Sequence, residues 1–255
     1  MLTDFGLKDH YAAAMKGVML GICAGARLVD ISHEITPYAI PEAAYTLEQA
    51  WRCFPKGTVH LVVVDPGVGS ARRPILVEAG GHRFVTPDNG VLTMLFESTP
   101  KHQVREITAS RYFREPVSQT FHGRDVFAPA AAHLADGLQP SRLGRRINDY
   151  VRLDFAKPAR RGPKRWTGAI LKIDRFGNLI TNFESAAWKL AGQRFEIKIG
   201  TRSITKLARH YSEMAAGEMF AIAGSAGYLE ISMDQKSAAA AVDARSGSVV
   251  ELRLL

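Results

Sequence analysis

The fold of the first half of this chain rests on Val59-His60-Leu61-Val62-Val63-Val64, an almost continuous apolar run that stops at Asp65-Pro66-Gly67. A strand of this composition is typical of a parallel sheet that is covered on both faces, because neither face leaves room for solvated side chains. Apolar residues at helical spacing predict helices over residues 11–23, 40–53 and 128–138. The alternation of strands and helices predicts an α/β domain, with a mostly parallel sheet and flanking helices.

The second half has a different pattern. Four segments, at residues 167–173, 194–199, 227–232 and 248–254, alternate between apolar and polar side chains and are separated by glycine-containing turns. Alternation of period two is typical of antiparallel strands with one buried face, and it predicts a small antiparallel β-barrel. We therefore expect an α/β N-terminal domain at 1–155, a basic linker at 156–165 and a β-barrel C-terminal domain at 166–255.

The chain of 255 residues carries a formal net charge of +8, and much of this excess lies between residues 142 and 165. A basic stretch that also contains proline and glycine is either a solvated interdomain linker or a patch that binds RNA. Nucleic-acid binders commonly interleave aromatic side chains with such cations. Only Tyr150 and Phe155 lie among the cations of this stretch, and such sparse interleaving favours the linker and disfavours nucleic acid as a partner.

The sequence contains no apolar run of the roughly 18–20 residues that a membrane helix needs. The first residues lack the basic and apolar regions of a secretory signal, so we expect no signal peptide and no membrane partner. Cys23 and Cys53 stand in no metal-binding spacing. We expect both to be reduced thiols in the core of a cytoplasmic protein, and we expect no metal and no cofactor.

The segment from Asp65 to Arg73 follows the buried strand and is rich in glycine. It is either a turn with two surface arginines or a ligand loop, because ligands bind at the carboxyl ends of strands in α/β sheets. A dinucleotide fingerprint is disfavoured, since its third glycine is missing and Arg72-Arg73-Pro74 stands where its helix would begin. A phosphate-binding P-loop is excluded, since no Gly-Lys-Ser/Thr follows.

Other polar positions have two interpretations each. Asp4 ends a strand, where an acid can bind a ribose diol, and Asp9 is either a helix cap or a ligand residue. His122 precedes a helix and is either structural or a reactive histidine held at the helix N-terminus. The segment at 174–178 is either a turn or a ligand clamp, and Pro87-Asp88-Asn89-Gly90 is most simply a tight turn.

Taken together, these segments resemble the S-adenosyl-L-methionine hydroxide adenosyltransferases, the water-using relatives of bacterial fluorinase and chlorinase. The resemblance runs in order over nearly the whole chain, and eight matching segments in sequence are far more specific than any single one. The matching segments are residues 2–6 with 9–11, residues 15–17, 30–35, 62–73, 87–90, 120–129, 174–182 and 224–230.

The resemblance implies an activity, namely attack of water or hydroxide on C5′ of S-adenosyl-L-methionine (SAM), with release of adenosine and L-methionine. It also implies an α/β domain, a β-barrel domain and a homotrimer with sites between subunits. The implied catalytic triad is Asp65, Arg72 and His122. The implied substrate-binding residues are Asp4 at the ribose, Asp9, Tyr11, Asp174 and Ser225 near the methionine end, Phe176 and Asn178 at the adenine, and Phe121.

Departures from the halogenases are also informative. These enzymes resemble the chain but have tyrosine and serine where His122 and Gly123 stand, and they lack the pair formed by Asp65 and Arg72. The halide pocket should therefore be absent. The family commonly has an asparagine near position 234, where this chain has Asp234. A second function, from another class, is a sensor that binds SAM or adenosine without turnover; the retained triad argues against it, because binding alone needs no such set.

Overall fold

The structure is a computed structural model that describes residues 1–188 and 190–255. The described chain divides into two compact units, Met1–Leu153 and Asp154–Leu255. Each unit has its own sheet and its own hydrophobic core.

The sheet of the first unit is mixed. Its strands follow the order β1-β2-β4-β3-β5-β6, and only the β1–β2 and β2–β4 pairs are parallel. The prediction of a mostly parallel sheet is therefore confirmed for one edge and wrong for the rest. The reason is the hairpin at Gly80-Gly81, whose φ angles of +59° and +84° suit a two-residue turn between antiparallel strands. The strands are β1 (Leu2–Thr3), β2 (Val59–Val63), β3 (Pro74–Ala79), β4 (His82–Pro87), β5 (His102–Glu106) and β6 (Arg146–Ile147).

Helices cover both faces of this sheet, as predicted. Two separate apolar clusters result, one under α2 and α3 and the other under α1 and α4. Pro41 lies in the first turn of α2, where its missing N–H costs no helical hydrogen bond. The helices are α1 (Tyr11–Ile22), α2 (Ile40–Ala50), α3 (Thr93–Ser98) and α4 (Ala128–Ala135), and a π-helical turn at Gly123–Phe127 leads into α4.

The parallel edge of the sheet places the site. Leu2 and Thr3 pair with Val62 and Val63 in parallel register, so β1 and β2 end side by side. Asp4 and Asp65 follow these two strand ends. Both carboxylates therefore lie at the carboxyl edge of the sheet, where open α/β sheets bind their ligands.

The sheet of the second unit is almost wholly antiparallel, with the exception of the β12–β13 pair. Its hydrogen-bonded path runs β11-β10-β15-β8-β9-β14-β13-β12, with β7 paired to β8. Cα atoms of β11 and β13 approach within 8 Å, so the sheet curls upon itself. The strands are β7 (Ala159–Gly162), β8 (Arg165–Ile173), β9 (Leu179–Glu184), β10 (Phe195–Ile199), β11 (Arg202–Ile204), β12 (Leu207–Ala208), β13 (Met219–Ala223), β14 (Tyr228–Met233) and β15 (Val249–Leu254), with short helices α5 (Ser185–Trp188) and α6 (Ala238–Val242).

The expected barrel is confirmed only as a curled antiparallel sheet. No hydrogen-bonded pairing joins β11 to β12 in the described residues, so the sheet does not close. The expected linker at 156–165 contains β7, which pairs with β8. Its arginines thus extend from the edge of a sheet, as at Arg160 and Arg161, which are exposed.

The two cysteines are free thiols. Cys23 is half-buried after α1, whereas Cys53 is exposed at the end of the short 3₁₀ turn Trp51–Cys53. The expectation that both lie in the core is therefore wrong for Cys53, because the turn that follows α2 directs it outwards. None of the described helices is long and apolar enough to cross a bilayer.

Candidate active site

Three side chains meet beside the carboxyl end of β2. The Nε of Arg72 donates to both Asp65 oxygens, at 3.0 and 2.9 Å, and its Nη2 donates to Asp65 Oδ2 at 2.5 Å. The same Nη2 lies 2.9 Å from His122 Nδ1. The side chains of Arg72 and Asp65 are only 9% and 5% exposed, so the interpretation of Arg72 as a surface arginine is wrong. The structure thus brings the three predicted catalytic residues together.

The contact with Arg72 fixes the tautomer of His122. A guanidinium has donors and no acceptor, so Nδ1 of the imidazole must accept this hydrogen bond. The proton of the neutral ring then lies on Nε2, which becomes a donor. Burial, and next the charge of Arg72, lower the pKa of His122, although Asp65 and Asp125 oppose this shift. The ring is therefore neutral near pH 7, with Nε2–H available to a ligand.

The backbone around His122 is held by its own segment. His122 precedes the π-helical turn, and the carbonyl of Phe121 accepts from the amides of Arg124 and Asp125. The Asp125 carboxylate is fully buried and accepts from Arg124, Arg114 and the amide of Ser118. These bonds anchor the turn that places the imidazole beside Arg72.

Two glycines in the segments that carry these side chains, Gly69 and Gly123, permit close packing. A Cβ at Gly123 would lie 3.2 Å from the sulfur of Met15 and 3.3 Å from the ring of Phe121. At Gly69, which has a φ of +78°, a Cβ would lie 2.6 Å from the carbonyl oxygen of Gln119. Glycine at 69 therefore lets the loop between Asp65 and Arg72 pack against the segment that leads to His122.

Arg73 holds the other end of this loop, a role that the pair of adjacent arginines alone does not predict. Its guanidinium donates to Asp88 at 2.8 Å and 3.2 Å, and to the carboxylate and carbonyl of Asp149 at 2.6 to 3.1 Å. The other Asp88 oxygen accepts from the amide of Val151 at 2.8 Å. Asp88 is thus an anchor within the Pro87–Gly90 turn, and we call this set the Arg73 clamp.

Asp4 lies at the adjacent strand end. Its Oδ2 accepts from the amide of Tyr38 at 2.9 Å. Burial is the main cause that raises the pKa of Asp4, and the charge of Asp65 adds to the shift. The charges of the two carboxylates therefore interact at one edge of the sheet, because the register of β1 and β2 places their strand ends side by side.

The remaining predicted residues of the first unit divide into two groups. Tyr11 and Phe121 join in an aromatic cluster with Phe5, with ring centroids 5.1 to 6.0 Å apart. Phe5 follows Asp4 directly and was not among the predicted site residues. Asp9 is exposed and is not the helix cap, because α1 begins after His10 without a side-chain cap.

In the second unit, the segment between β8 and β9 forms a tight polar turn. Asp174 Oδ1 accepts from the amides of Phe176 and Asn178, both at 2.9 Å, and Oδ2 accepts from the side-chain amide of Asn178 at 2.8 Å. Within residues 1–188 and 190–255, no donor meets the carbonyl oxygen of the Asn178 side chain. The ring of Phe176 is 78% exposed, and Ser225 is exposed in the turn between β13 and β14. The structure thus joins Asp174, Phe176 and Asn178 in one turn. This geometry fits a simple turn and a ligand clamp alike.

Among residues 1–188 and 190–255, no group of three or more His, Cys, Asp or Glu side chains is arranged to hold a metal ion.

Comparisons with known proteins cover both units. The family model described as SAM hydroxide adenosyltransferase N-terminal domain matches residues 1–144, and the model of its C-terminal domain matches residues 168–251. An (R)-S-adenosyl-L-methionine hydrolase of Thermus thermophilus is 38% identical, with 98% of this chain and 97% of the relative covered.

More distant and structural relatives agree with this match. A fluorinase of Actinoplanes is 29% identical over 78% of this chain and 75% of that protein. The crystal structure of an uncharacterized conserved protein from Thermotoga maritima superposes with a TM-score of 0.87 at 36% identity, and it covers 99% of this chain and 98% of its own.

Proposed function

Because the chain belongs to the SAM hydroxide adenosyltransferase family, we propose that it hydrolyses S-adenosyl-L-methionine to adenosine and L-methionine. The relatives that match at 38–40% identity are named hydrolases of the (R) epimer, and we propose the same epimer as substrate. One observation carries the proposal: Arg72 joins the Asp65 carboxylate and the His122 imidazole in a half-buried cluster at the carboxyl end of a sheet.

The reaction needs an oxygen nucleophile in line with the C5′–S bond. The oxygen forms a bond to C5′, the C5′–S bond breaks, and its electron pair stays on sulfur, so that the sulfonium becomes the neutral thioether of methionine. One proton of the water is released to solvent. Positioning supplies much of the rate in such a displacement, and exclusion of bulk water favours a step that neutralises charge.

His122 acts in this scheme as a hydrogen-bond donor. Its Nδ1 is occupied by Arg72, so Nε2–H is the group that meets the nucleophile. A donated hydrogen bond beside a guanidinium stabilises negative charge on oxygen, which favours hydroxide over water. By accepting from Arg72, Asp65 holds the guanidinium in the plane in which it also reaches His122.

The other residues are assigned by the resemblance and supported by their positions. Asp4 would accept from the ribose hydroxyls, and the free Oδ1 of Asn178 would accept from the exocyclic amino group of adenine, with Phe176 stacked on the ring. Asp9, Tyr11, Asp174 and Ser225 would lie at the methionine end, and Phe121 would line the pocket.

We also propose the assembly and the compartment that the resemblance implies. The site would be completed between subunits of a homotrimer, with one subunit supplying Asp4 and its neighbour supplying Asn178. The two free thiols suit the cytoplasm, because secreted proteins commonly pair their cysteines.

The test is incubation with each purified SAM epimer, followed by chromatography for adenosine and methionine. We expect equal amounts of the two products, faster turnover of the (R) epimer, and the same rate after treatment with a chelator. Tight binding of SAM without release of adenosine would favour the sensor instead. Loss of activity with the chelator, restored by a divalent ion, would contradict hydrolysis by these side chains alone.

We expect chloride and fluoride to be unable to replace water. The halogenases that this chain resembles have a serine where Gly123 stands, and glycine has no hydroxyl to donate to a halide. The measurement is a search for 5′-chloro- or 5′-fluoro-5′-deoxyadenosine after incubation in high halide. Adenosine should be the only nucleoside product. Detection of either halogenated nucleoside would show that a halide pocket is present.

Acid should inactivate the enzyme by protonating His122. A proton on Nδ1 removes the acceptor for Arg72 and sets two cations against each other, so the active form is the neutral ring. The pKa of His122 is lowered in the ligand-free protein, so kcat/KM should stay constant as the pH falls through the ordinary histidine value of about 6.5 and decline only below it. A profile of kcat/KM from pH 4.5 to 8 measures this. A decline centred above the ordinary value would contradict the assignment.

A further inference from the structure

The second unit has a concave surface at the end of β8 that is farthest from the turn carrying Asp174. It is a cavity of about 500 Å³, within the size range of small-molecule sites, beside the hairpin that joins β7 to β8. Since β8 extends over nine residues, about 27 Å of strand separates this cavity from the Asp174 turn. We call it the basic cavity, because its lining includes Arg161, Lys164, Arg165, Lys198 and Arg253.

The charges in this lining do not balance. The five cationic side chains are accompanied by only two carboxylates, those of Glu196 and Glu251. Glu251 accepts from Arg165 at 2.7 Å, and Glu196 lies 3.7 Å from the ammonium of Lys198. Both acids are thus paired within the protein. In the described part of the chain, three cations of the lining have no carboxylate partner, namely Arg161, Lys164 and Arg253.

The strand register places two of the cations side by side. Arg253 of β15 lies directly opposite Arg165 of β8, and on its other side it lies opposite Glu196 of β10. Like charges directly opposite each other on one face of a sheet are destabilising. Glu196 does not relieve this repulsion, because its carboxylate accepts from Ser203 at 2.8 Å and lies near Lys198. The protein therefore keeps an unfavourable pair of charges that a bound anion would stabilise.

The hairpin turn at one wall of the basic cavity is held in place by contacts with the backbone. The guanidinium of Arg160 donates to the carbonyl oxygens of Gly162 and Pro163, at 3.1 and 3.3 Å. The carbonyl of Lys164 accepts from the amide of Leu254 at 3.0 Å, which ties the turn to β15. The cations of the turn therefore extend from a fixed backbone, and a fixed backbone lowers the entropy cost of binding a ligand.

The lining also indicates the kind of anion. Guanidinium groups bind phosphate oxygens through two donors at once, and an ammonium binds them as a point charge. Three unpaired cations around one cavity suit an anion that carries several charges in a short length, because a single charge would neutralise only one of them. Among the described residues, the lining has no aromatic side chain on which a nucleic-acid base could stack. These features favour a chain of linked phosphates over single-stranded RNA.

We propose that the basic cavity binds a polyphosphate chain, either inorganic or carried by a nucleoside triphosphate. The three unpaired cations bind the phosphate oxygens, and the ligand offsets the repulsion between Arg165 and Arg253. Four of the five cations lie outside the residues that the family models match, 1–144 and 168–251. Binding at this cavity is therefore separate from the proposed hydrolysis, and its test requires no turnover.

The test is isothermal titration calorimetry of the protein with inorganic tripolyphosphate, at low and at physiological salt. We expect binding that weakens as salt is added, since exposed charges are screened over about 10 Å at 0.1 M. A triple variant, Arg161→Gln with Lys164→Gln and Arg253→Gln, should bind about 10- to 100-fold more weakly, because each exposed charge pair contributes up to a factor of about five. An unchanged affinity in this variant would overturn the proposal.

Arg245→Gln is the matched control. It removes an exposed cation of the same unit that lies outside the lining of the basic cavity. Because its distance from the ligand leaves only a screened interaction, the Kd of tripolyphosphate should change less than about twofold. A loss as large as that of the triple variant would mean that only the net charge of the protein matters, and would contradict a site at the cavity.

Glu251→Gln should act in the opposite direction. It removes a carboxylate from the lining and releases Arg165 from its ion pair, so tripolyphosphate should bind about two- to fivefold more tightly. A general loss of structure does not strengthen binding, so this variant separates charge from fold. Where the triple variant does not fold, Glu251→Gln decides alone, and an unchanged or weaker affinity in it would contradict the proposal.

Three further ligands identify the source of the phosphate chain. Cytidine triphosphate is added with saturating adenosine, which occupies the proposed adenosine site. Its binding would identify nucleotides as a source, whereas binding of tripolyphosphate alone would identify the inorganic chain; both support the proposal. Equal binding of citrate would mean that the cavity attracts any polyanion, and binding of single-stranded RNA alone would assign it to nucleic acid. Either result, or no binding of tripolyphosphate at low salt, would overturn the proposal.

Discussion

Arg72→Lys should lower kcat by about 10²- to 10³-fold, the usual cost of one lost polar stabiliser of a transition state. The guanidinium reaches both Asp65 oxygens and His122 at once, through donors fixed in one plane. A lysine ammonium keeps the charge but is a point donor that cannot serve these partners together. Asp65→Ala and His122→Ala should cause losses of similar size, while the Kd of adenosine changes little, because the triad acts on the transition state.

Two comparisons make this result specific. Arg52→Lys is a matched control, since its guanidinium pairs with Glu48 on the surface of a helix, and it should leave kcat unchanged. The triad losses should also be non-additive, because the three side chains act as one unit. A triple variant far slower than the slowest single variant would indicate independent roles, and a fully active Arg72→Lys enzyme would remove the triad from the mechanism.

Mixing two inactive variants should restore activity if sites are shared between subunits. Asp4→Ala should weaken substrate binding about 10- to 100-fold, because a carboxylate that accepts from hydroxyls makes charged hydrogen bonds. Asn178→Ala should weaken it through the loss of the adenine contact. In a trimer with random subunit exchange, about a quarter of the sites would pair an intact Asp4 from one subunit with an intact Asn178 from its neighbour.

The measurement is adenosine release after the two variants are mixed and allowed to exchange subunits. A mixture of Asp4→Ala with Asp65→Ala is the control, because both residues lie in the first unit and one subunit would supply both to each site. No site in this mixture has both residues intact, so no activity should be restored. No recovery with Asn178→Ala, together with a fully active monomer by light scattering, would place both residues of each site within one chain.

Some of the fold follows from periodicity alone. The strand Val59–Val63 and the helices Tyr11–Ile22 and Ile40–Ala50 lie where the apolar spacing predicts them, because burial of one face dictates that spacing. The hairpin of β3 and β4 was missed, although Gly80-Gly81 is a strong turn signal. Its antiparallel pairing turned an expected parallel sheet into a mixed one. The second sheet was expected to close as a barrel, but β11 and β12, the strands at the two ends of its path, do not pair in the described residues. Alternation of apolar and polar side chains indicates which face of a strand is buried, and it does not indicate whether the end strands pair.

The site was less accessible to sequence reasoning. Asp65 and Arg72 lie seven residues apart on one loop, whereas His122 comes fifty residues later, and only the resemblance placed it beside them. The pairing of Tyr211 with Glu230, and that of Arg73 with Asp88, were missed. Strand register and loop geometry set both contacts, and neither leaves a periodic pattern in the sequence.

The Arg73 clamp has a consequence for the design of chimeras. The loop between Asp65 and Arg73 is tied through Asp88 and Asp149 to the last residues of the first unit, where the amide of Leu153 also donates to Thr93 at 3.0 Å. A hybrid enzyme that grafts the second unit of a relative onto this one should therefore be joined after Leu153. A junction only five residues earlier would exchange Asp149 and with it one support of the arginine next to Arg72.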